Sequence, residues 1–448
     1  MKYKPSKFNF KTYCDNDNTM LLYNSYTGTE SLICVKNNNK KNQIERALNK
    51  NEVTQQDIKN LDLLVQKGYF IPYEQNENIK LCSKIIKDKT LPILQLTILP
   101  TEKCNFRCKY CYESHTNGNM SNIVQESIVE FVRRNIHKYS GLQVSWFGGE
   151  PLEALDVVEN LSYKFIEICK VAKREYIAGI TTNGYNLTYV IFNRLLKLKI
   201  YNYQITIDGS KKTHDNLRIL KNGEGTYEKI VDNLMHIRKS KNKFFTIAIR
   251  TNFSKSSLSE LDEIIEQYNK LFGKDKRFRY FPKVMGKWND EFDKSINDEL
   301  INEEDILYIY KTLNNKLHTN MDIYLNFLSE QGLCKAGMLY SYVIGADAKI
   351  YKCTQDFQLE DNNIGYLSEN GILYINEEKH AKWIYQNLSL KCSDCYFVGA
   401  CQSRSCPKKN IINNLNNSKV LNTCPDERIY TKYVLQIINR SNFTIVES

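Results

Sequence analysis

Cys104, Cys108 and Cys111 lie in the run Thr-Glu-Lys-Cys-Asn-Phe-Arg-Cys-Lys-Tyr-Cys-Tyr-Glu, residues 101–113, with the spacing C-x3-C-x2-C. Three thiolates in one short loop suit a [4Fe–4S] cluster, which is held by cysteine runs of this kind. With three protein thiolates, the fourth iron stays open to a substrate or cofactor. A zinc knuckle would want four ligands, commonly as C-x2-C pairs. Of the remaining cysteines, Cys334, Cys353, Cys392, Cys395, Cys401, Cys406 and Cys424 crowd the last third, while Cys14, Cys34, Cys82 and Cys169 are scattered. Clustered cysteines read as metal ligands and scattered ones as small apolar residues.

The chain that positions these thiols has 448 residues, enough for two or three domains. Its 42% hydrophobic and 25% charged residues are those of a globular protein. No apolar run is long enough to span a membrane, and the first residues lack the apolar stretch of a signal peptide. A cytoplasmic location is therefore expected, where fourteen cysteines point to metal rather than disulfides. The net charge of +11 is spread along the chain instead of stacked in blocks. That pattern argues against a nucleic-acid partner and is compatible with an anionic peptide or cofactor.

From Leu94 onward strands and helices alternate. Strands are expected at 94–99, 142–147, 177–182, 203–207, 244–250 and 278–281, with helices at 123–136, 161–171, 191–198, 227–237 and 258–271 between them. Such alternation implies a parallel sheet with crossover helices, and six units fit a partial barrel. The chemistry of such folds sits at the carboxyl ends of the strands. The polar motifs fall there: Gly148-Gly149-Glu150-Pro151, Thr181-Thr182-Asn183-Gly184, Thr206-Ile207-Asp208-Gly209 followed by His214 and Arg218, and Arg250-Thr251-Asn252.

Together the cysteine loop and these strand ends resemble the radical S-adenosylmethionine (SAM) enzymes, over about residues 93–430. The resemblance implies that the open iron chelates SAM, which is cleaved to a 5′-deoxyadenosyl radical. It places Tyr110 against the adenine, Gly148, Gly149 and Glu150 at the ammonium group, and Asn183 and Thr206 among the SAM contacts. Arg218 is expected at the SAM carboxylate, where a guanidinium fork fits. Arg250 and Asn252 are expected to support the site or touch SAM, and His214 to be structural. No catalytic side chain is assigned.

The later cysteines resemble a SPASM domain with two auxiliary [4Fe–4S] clusters, making three clusters in all. By that analogy Cys392, Cys395, Cys401 and Cys424 close one. Cys334, Cys353 and Cys406 hold the other, leaving an iron open to water, a distant residue or a substrate thiolate. Two departures are visible: Ala348 stands where a glycine is expected, and the gap from Cys401 to Cys406 is one residue longer than usual. The region after Cys334 reads as short irregular segments stabilised by metal.

Residues 1–90 read as a small separate domain: a hairpin from Met20–Ser25 and Ser31–Val35, then helices at 43–48 and 57–65, with Thr54 and Asp57 as a capping pair. It resembles the winged-helix domains that bind leader peptides by strand addition, or it is a generic cap. The Asn-Lys-rich runs 37–42 and 409–418 read as exposed loops.

The expected organisation is an α/β protein with a winged-helix-like domain at 1–90, a partial (β/α)6 barrel at 91–325 and a SPASM domain at 326–448. The expected activity is that of a maturase of ribosomally made (RiPP) peptides. It would abstract a hydrogen from a leader-bearing precursor and form an oxidative crosslink such as a Cys thioether. Electrons would come from a donor such as ferredoxin or flavodoxin. The alternative is an anaerobic sulfatase-maturating, formylglycine-forming enzyme. Those enzymes carry an aspartate directly after the second auxiliary cysteine, where this chain has Thr354.

Overall fold

The computed structural model describes residues 1–113, 115, 117–286, 297–318, 325–328, 333–385, 390–402, 406–415, 424, 427–438 and 440–446. The chain divides into two compact units: Met1–Thr90 with Asp322–Met338 and Ile384–Ser448, and Leu91–Met321 with Leu339–Trp383.

The first unit begins with β1 (Tyr3–Pro5), β2 (Asn9–Tyr13), β3 (Met20–Asn24) and β4 (Gly28–Val35). It continues with α1 (Asn38–Leu48), α2 (Leu61–Gln66), β5 (Phe70–Pro72) and α3 (Glu77–Lys89). The expected hairpin is β3–β4, extended by β2 on one side and, in parallel, by the strand Thr444–Val446 on the other. Every residue of β3 is buried, because the strand is central and both its faces are covered. Leu22, Ile33, Ile44, Leu61 and Phe70 share one core with Val446.

Three local expectations are corrected. Asp57 accepts from the Thr54 amide (2.7 Å) and hydroxyl (3.0 Å), but this closes a turn ahead of α2, which starts at Leu61. Residues 37–42 form the capped first turn of α1, with the Asn37 side chain accepting from the Lys40 amide. Residues 409–415 belong to the helix Pro407–Leu415, while 416–418 lie outside the described residues. At Asn37 the reason is that Asn, which suits loops, also suits helix caps.

The second unit carries β6 (Ile93–Ile98), β7 (Phe106–Cys108), α4 (Asn122–Asn135), β8 (Gly141–Trp146), α5 (Leu155–Val171), β9 (Glu175–Thr182), α6 (Tyr189–Lys197) and β10 (Ile200–Thr206). Then come α7 (Lys211–Leu217), β11 (Arg218–Leu220), α8 (Tyr227–Arg238), β12 (Thr246–Phe253), α9 (Lys255–Leu258), α10 (Leu261–Leu271) and β13 (Phe278–Val284). Strands β6, β8, β9, β10, β12 and β13 lie side by side in that order, every pair parallel. Helix stripes such as Ile128, Val129 and Val132 on α4, and Ile230, Leu234 and Ile237 on α8, are buried. Ser121 and Thr188 cap α4 and α6, fixing where those helices start.

The region expected to be irregular instead lengthens this sheet. β14 (Ser341–Ile344) pairs in parallel with β6, and β15 (Lys349–Tyr351), β16 (Asn363–Leu367) and β17 (Leu373–Ile375) follow as an antiparallel meander. The sheet is therefore mixed and open among the described residues, running from β13 to β17. Strands this short, Lys349–Tyr351 being three residues, show no period of their own in the sequence.

Candidate active site

The cysteine loop leaves β6 and runs along the end of β8. The Gly149 amide donates to the Thr101 carbonyl (3.2 Å) and the Glu150 amide to the Lys103 carbonyl (2.8 Å). A Cβ on Gly148, whose φ is +111°, would strike the Thr101 carbonyl, and one on Gly149 would overlap the carbonyls of Glu102 and Lys103. The glycines thus let two protein backbones touch, which places the cysteines over the strand ends.

Glu150 is 1% exposed. It accepts from the Leu152 amide (3.0 Å), the Thr182 hydroxyl (2.6 Å) and the Asn183 amide (2.7 Å). Burial pushes its carboxyl up to about 7, against those three hydrogen bonds. A carboxylate offers about four lone-pair positions, so one remains for a cationic ligand. Asn183 also donates to the Asn105 side chain (2.7 Å), tying the end of β9 to the residue after Cys104.

β7 and β11 pair antiparallel, with Arg218 directly opposite Cys108. Arg218 Nη1 donates to the Tyr110 hydroxyl (2.6 Å), which donates to Asp208 Oδ2. Asp208 is wholly buried and accepts at Oδ1 from the Asn252 amide (2.8 Å) and Nδ2 (3.1 Å). Tyr110 packs on Leu217 and Met285. Buried Nε of Arg218 has no acceptor among the described residues. Thr206 is buried at the end of β10, opposite Arg250, whose Nε donates to the Asn252 side chain (2.9 Å).

His214 holds this network from beneath. Its Nδ1 accepts from the Asp208 amide (3.1 Å), so Nε2 carries the proton and donates to the Thr226 hydroxyl (3.0 Å). Thr226 in turn donates to the Arg218 carbonyl (2.6 Å). Burial, with the Arg218 charge, depresses His214 to about 3, and the ring stays neutral. Asp208 is the residue that sequence reasoning passed over. Its signal was present in the Thr-Ile-Asp-Gly strand end.

Cys104 is pushed up to about 12 by burial and then by the Glu150 charge, and Cys111 to about 11 by burial. Burial also raises Cys108, while Arg218 opposes it. The three thiols lie within electrostatic reach of one another. Metal loading must expel their protons. His115, also missed, sits with Nδ1 2.9 Å from the Glu102 carbonyl and Nε2 3.6 Å from Cys111 Sγ.

Cys353 belongs to the same unit as the cysteine loop, and Tyr112 lies in electrostatic range of both Cys111 and Cys353. Fully buried Asn362 clamps the Cys353 turn, accepting from the Cys353 amide (2.8 Å) and donating to its carbonyl (2.8 Å). Cys334, Cys392, Cys395, Cys401, Cys406 and Cys424 belong to the other unit. There Cys395 and Cys424 both support the Arg428 charge.

Three thiols of one loop, within electrostatic reach of one another, suit a polynuclear cluster. Among the described residues no three His, Cys, Asp or Glu side chains converge closely enough to hold one metal ion. Thiols that each bind a different iron need not converge on a point. The free lone-pair position of Glu150 and the orphaned N–H of Arg218 would suit an amino acid's ammonium and carboxylate.

Residues 98–267 match the model of the Radical SAM superfamily. The chain therefore carries a radical SAM domain, the mark of an enzyme superfamily that uses SAM and a [4Fe–4S] cluster. It is 25% identical over 343 residues to the cysteine-type anaerobic sulfatase-maturating enzyme of Clostridium novyi (strain NT), covering 69% of this chain and 87% of that one. It is 25% identical over 181 residues to the sporulation killing factor maturation protein SkfB of Bacillus subtilis (strain 168), 40% of each chain. Streptococcus suis SuiB, crystallised with its precursor peptide SuiA, shares the fold with a TM-score of 0.50 and 14% identity, covering 91% of this chain and 97% of that one. No described helix is long and apolar enough to cross a membrane.

Proposed function

We propose that this enzyme is a cytoplasmic radical SAM peptide maturase that removes two hydrogens from a ribosomally made precursor and closes a crosslink, a Cys thioether being the favoured product. The observation that carries the reading is the seating of the Cys104–Cys111 loop on the Gly148–Glu150 strand end, beside Arg218 and buried Asp208. When bound, the reduced cluster and SAM supply a 5′-deoxyadenosyl radical at the mouth of the sheet. Cys104, Cys108 and Cys111 are the thiolates that would hold that cluster. Glu150 would take the SAM ammonium, and Arg218 would offer Nε–H to the carboxylate. Tyr110, Asn183 and Thr206 complete the contacts, and Asn252 orients Tyr110 through Asp208.

In this reading the partial barrel is followed by a SPASM-type region. Cys392, Cys395, Cys401 and Cys424 would hold one auxiliary cluster, and the shared influence of Cys395 and Cys424 on Arg428 supports their grouping. Residues 1–90 would receive the leader as a winged-helix-like domain, and ferredoxin or flavodoxin would deliver electrons.

The second reading, formylglycine formation on a sulfatase, is favoured by the Clostridium novyi relative. Against it stands Thr354 at the position of the expected base, and Asp356 accepts from the Leu359 amide (3.1 Å) as a turn residue. Anaerobic co-expression with a small peptide encoded beside the gene, followed by mass spectrometry, tests the choice. Loss of two hydrogens with a cysteine closed to alkylation supports the thioether. Loss of two hydrogens with every cysteine free points to a carbon–carbon bond. An unmodified peptide, alongside conversion of a sulfatase-motif peptide, establishes the second reading.

A further inference from the structure

We propose that Arg218 sets the reduction potential of the cluster held by the Cys104–Cys111 loop, acting as a buried cation against Cys108 in addition to any contact with SAM. The inference rests on those three cysteines holding a [4Fe–4S] cluster.

The placement is dictated by backbone pairing. Arg218 opposes Cys108 in the β7–β11 ladder, and directly opposed residues of an antiparallel pair project on the same face, with Cβ atoms about 5 Å apart. The guanidinium is walled in by aromatic rings, its centre 5.7 Å from the Phe106 ring and 5.9 Å from the Tyr110 ring. Its Nη1 is anchored on the Tyr110 hydroxyl (2.6 Å), so the charge cannot swing out to water. Arg218 is 8% exposed, and a charge so placed is poorly screened by salt. Burial works against the charge, yet Cys108, Tyr110 and Asp208 together hold the guanidinium well above its usual range. Asp208, 4.0 Å away, is the opposing anion. It is drawn off by two hydrogen bonds from Asn252 and one from Tyr110. Of the two charges, that of Arg218 acts on Cys108 more strongly than that of Asp208, so the cation keeps a net pull on the sulfur.

One-electron reduction makes the cluster and its thiolates more negative by one charge. A fixed cation beside one thiolate stabilises the reduced form and raises the potential. A fixed anion lowers it. The loop residues Cys104, Cys108 and Cys111 are each buried or half-buried, so solvent does little to level these effects.

The test is an EPR-monitored redox titration of the reconstituted, SAM-free holoenzyme, after iron and sulfide analysis of each variant. Arg218→Gln should shift the potential of the loop cluster to more negative values, with a several-fold smaller fraction reduced by dithionite. Arg218→Lys should restore most of the shift. Asp208→Asn should move the potential the opposite way, a response that mere disruption of packing would not give. An unchanged potential in Arg218→Gln, or shifts of the same sign in Arg218→Gln and Asp208→Asn, would overturn the inference while leaving the cluster reading intact. Wild-type protein that binds no iron or sulfide in the loop would overturn both.

Discussion

The buried groups of the site carry charges and lone pairs that SAM and a cluster would complete, and that makes them testable one at a time. Glu150 is raised to about 7 because it is desolvated. Only its ionised form attracts an ammonium group, so SAM affinity should rise between about pH 6 and 8 and then level off. In Glu150→Gln the affinity should be at least tenfold lower and flat over that range, as measured by isothermal titration. A buried acid with a raised value binds its proton more tightly when folded than when unfolded. The empty protein should therefore lose stability as pH climbs from the ordinary carboxylate range through about 7, and a thermal melt series checks the sign. Replacing Cys104, Cys108 or Cys111 by Ala should abolish 5′-deoxyadenosine formation, read by liquid chromatography. Replacing Cys334 or Cys353 should leave some of that cleavage and stop product formation. Full product from either auxiliary variant would refute the role given to those cysteines.

Among the elements, the strand-helix alternation was legible because each strand and helix of the main sheet buries a regular face. The expected segments 142–147, 203–207 and 227–237 differ from β8, β10 and α8 by a few residues at the ends. The meander β14–β17 was not legible, since its strands are three to five residues long and are held by register with β6 rather than by a period. The departure at Ala348 acquires a physical meaning in that meander. Ala348 sits at φ +66° in the turn between β14 and β15, its amide donating to the Gly345 carbonyl (3.1 Å). An L-residue in that conformation costs about 1 kcal/mol. Ala348→Gly should therefore raise the melting temperature of the protein by a degree or more, offset in part by the added flexibility of the unfolded chain. A lower melting temperature would show that the methyl group packs more favourably than the turn is strained.

At the scale of the whole molecule, the first ninety residues do not close their own core. Val446 packs with Leu22 and Ile33, and the strand Thr444–Val446 covers part of the edge of β4. The buried Tyr23 hydroxyl donates to the Leu328 carbonyl (2.8 Å), and Gln436 donates to the Tyr13 carbonyl (2.8 Å). Expressed alone, residues 1–90 should leave these groups exposed and show a broad, weakly cooperative melt by circular dichroism. A sharp transition at the temperature of the full chain would contradict this.

The sequence by itself determined the candidate site: three closely spaced thiols, a Gly-Gly-Glu strand end and an alternating α/β pattern are local features, readable because spacing and periodicity are properties of consecutive residues. What only the tertiary structure decided are the long-range pairings. They include Arg218 against Cys108, Asp208 between Tyr110 and Asn252, Gly148 and Gly149 after β8 against the backbone of residues 101–103, and the C-terminal strand on β4. These partners are far apart in the chain and leave no periodic trace. They are set by sheet register and by the need of buried polar groups to find partners.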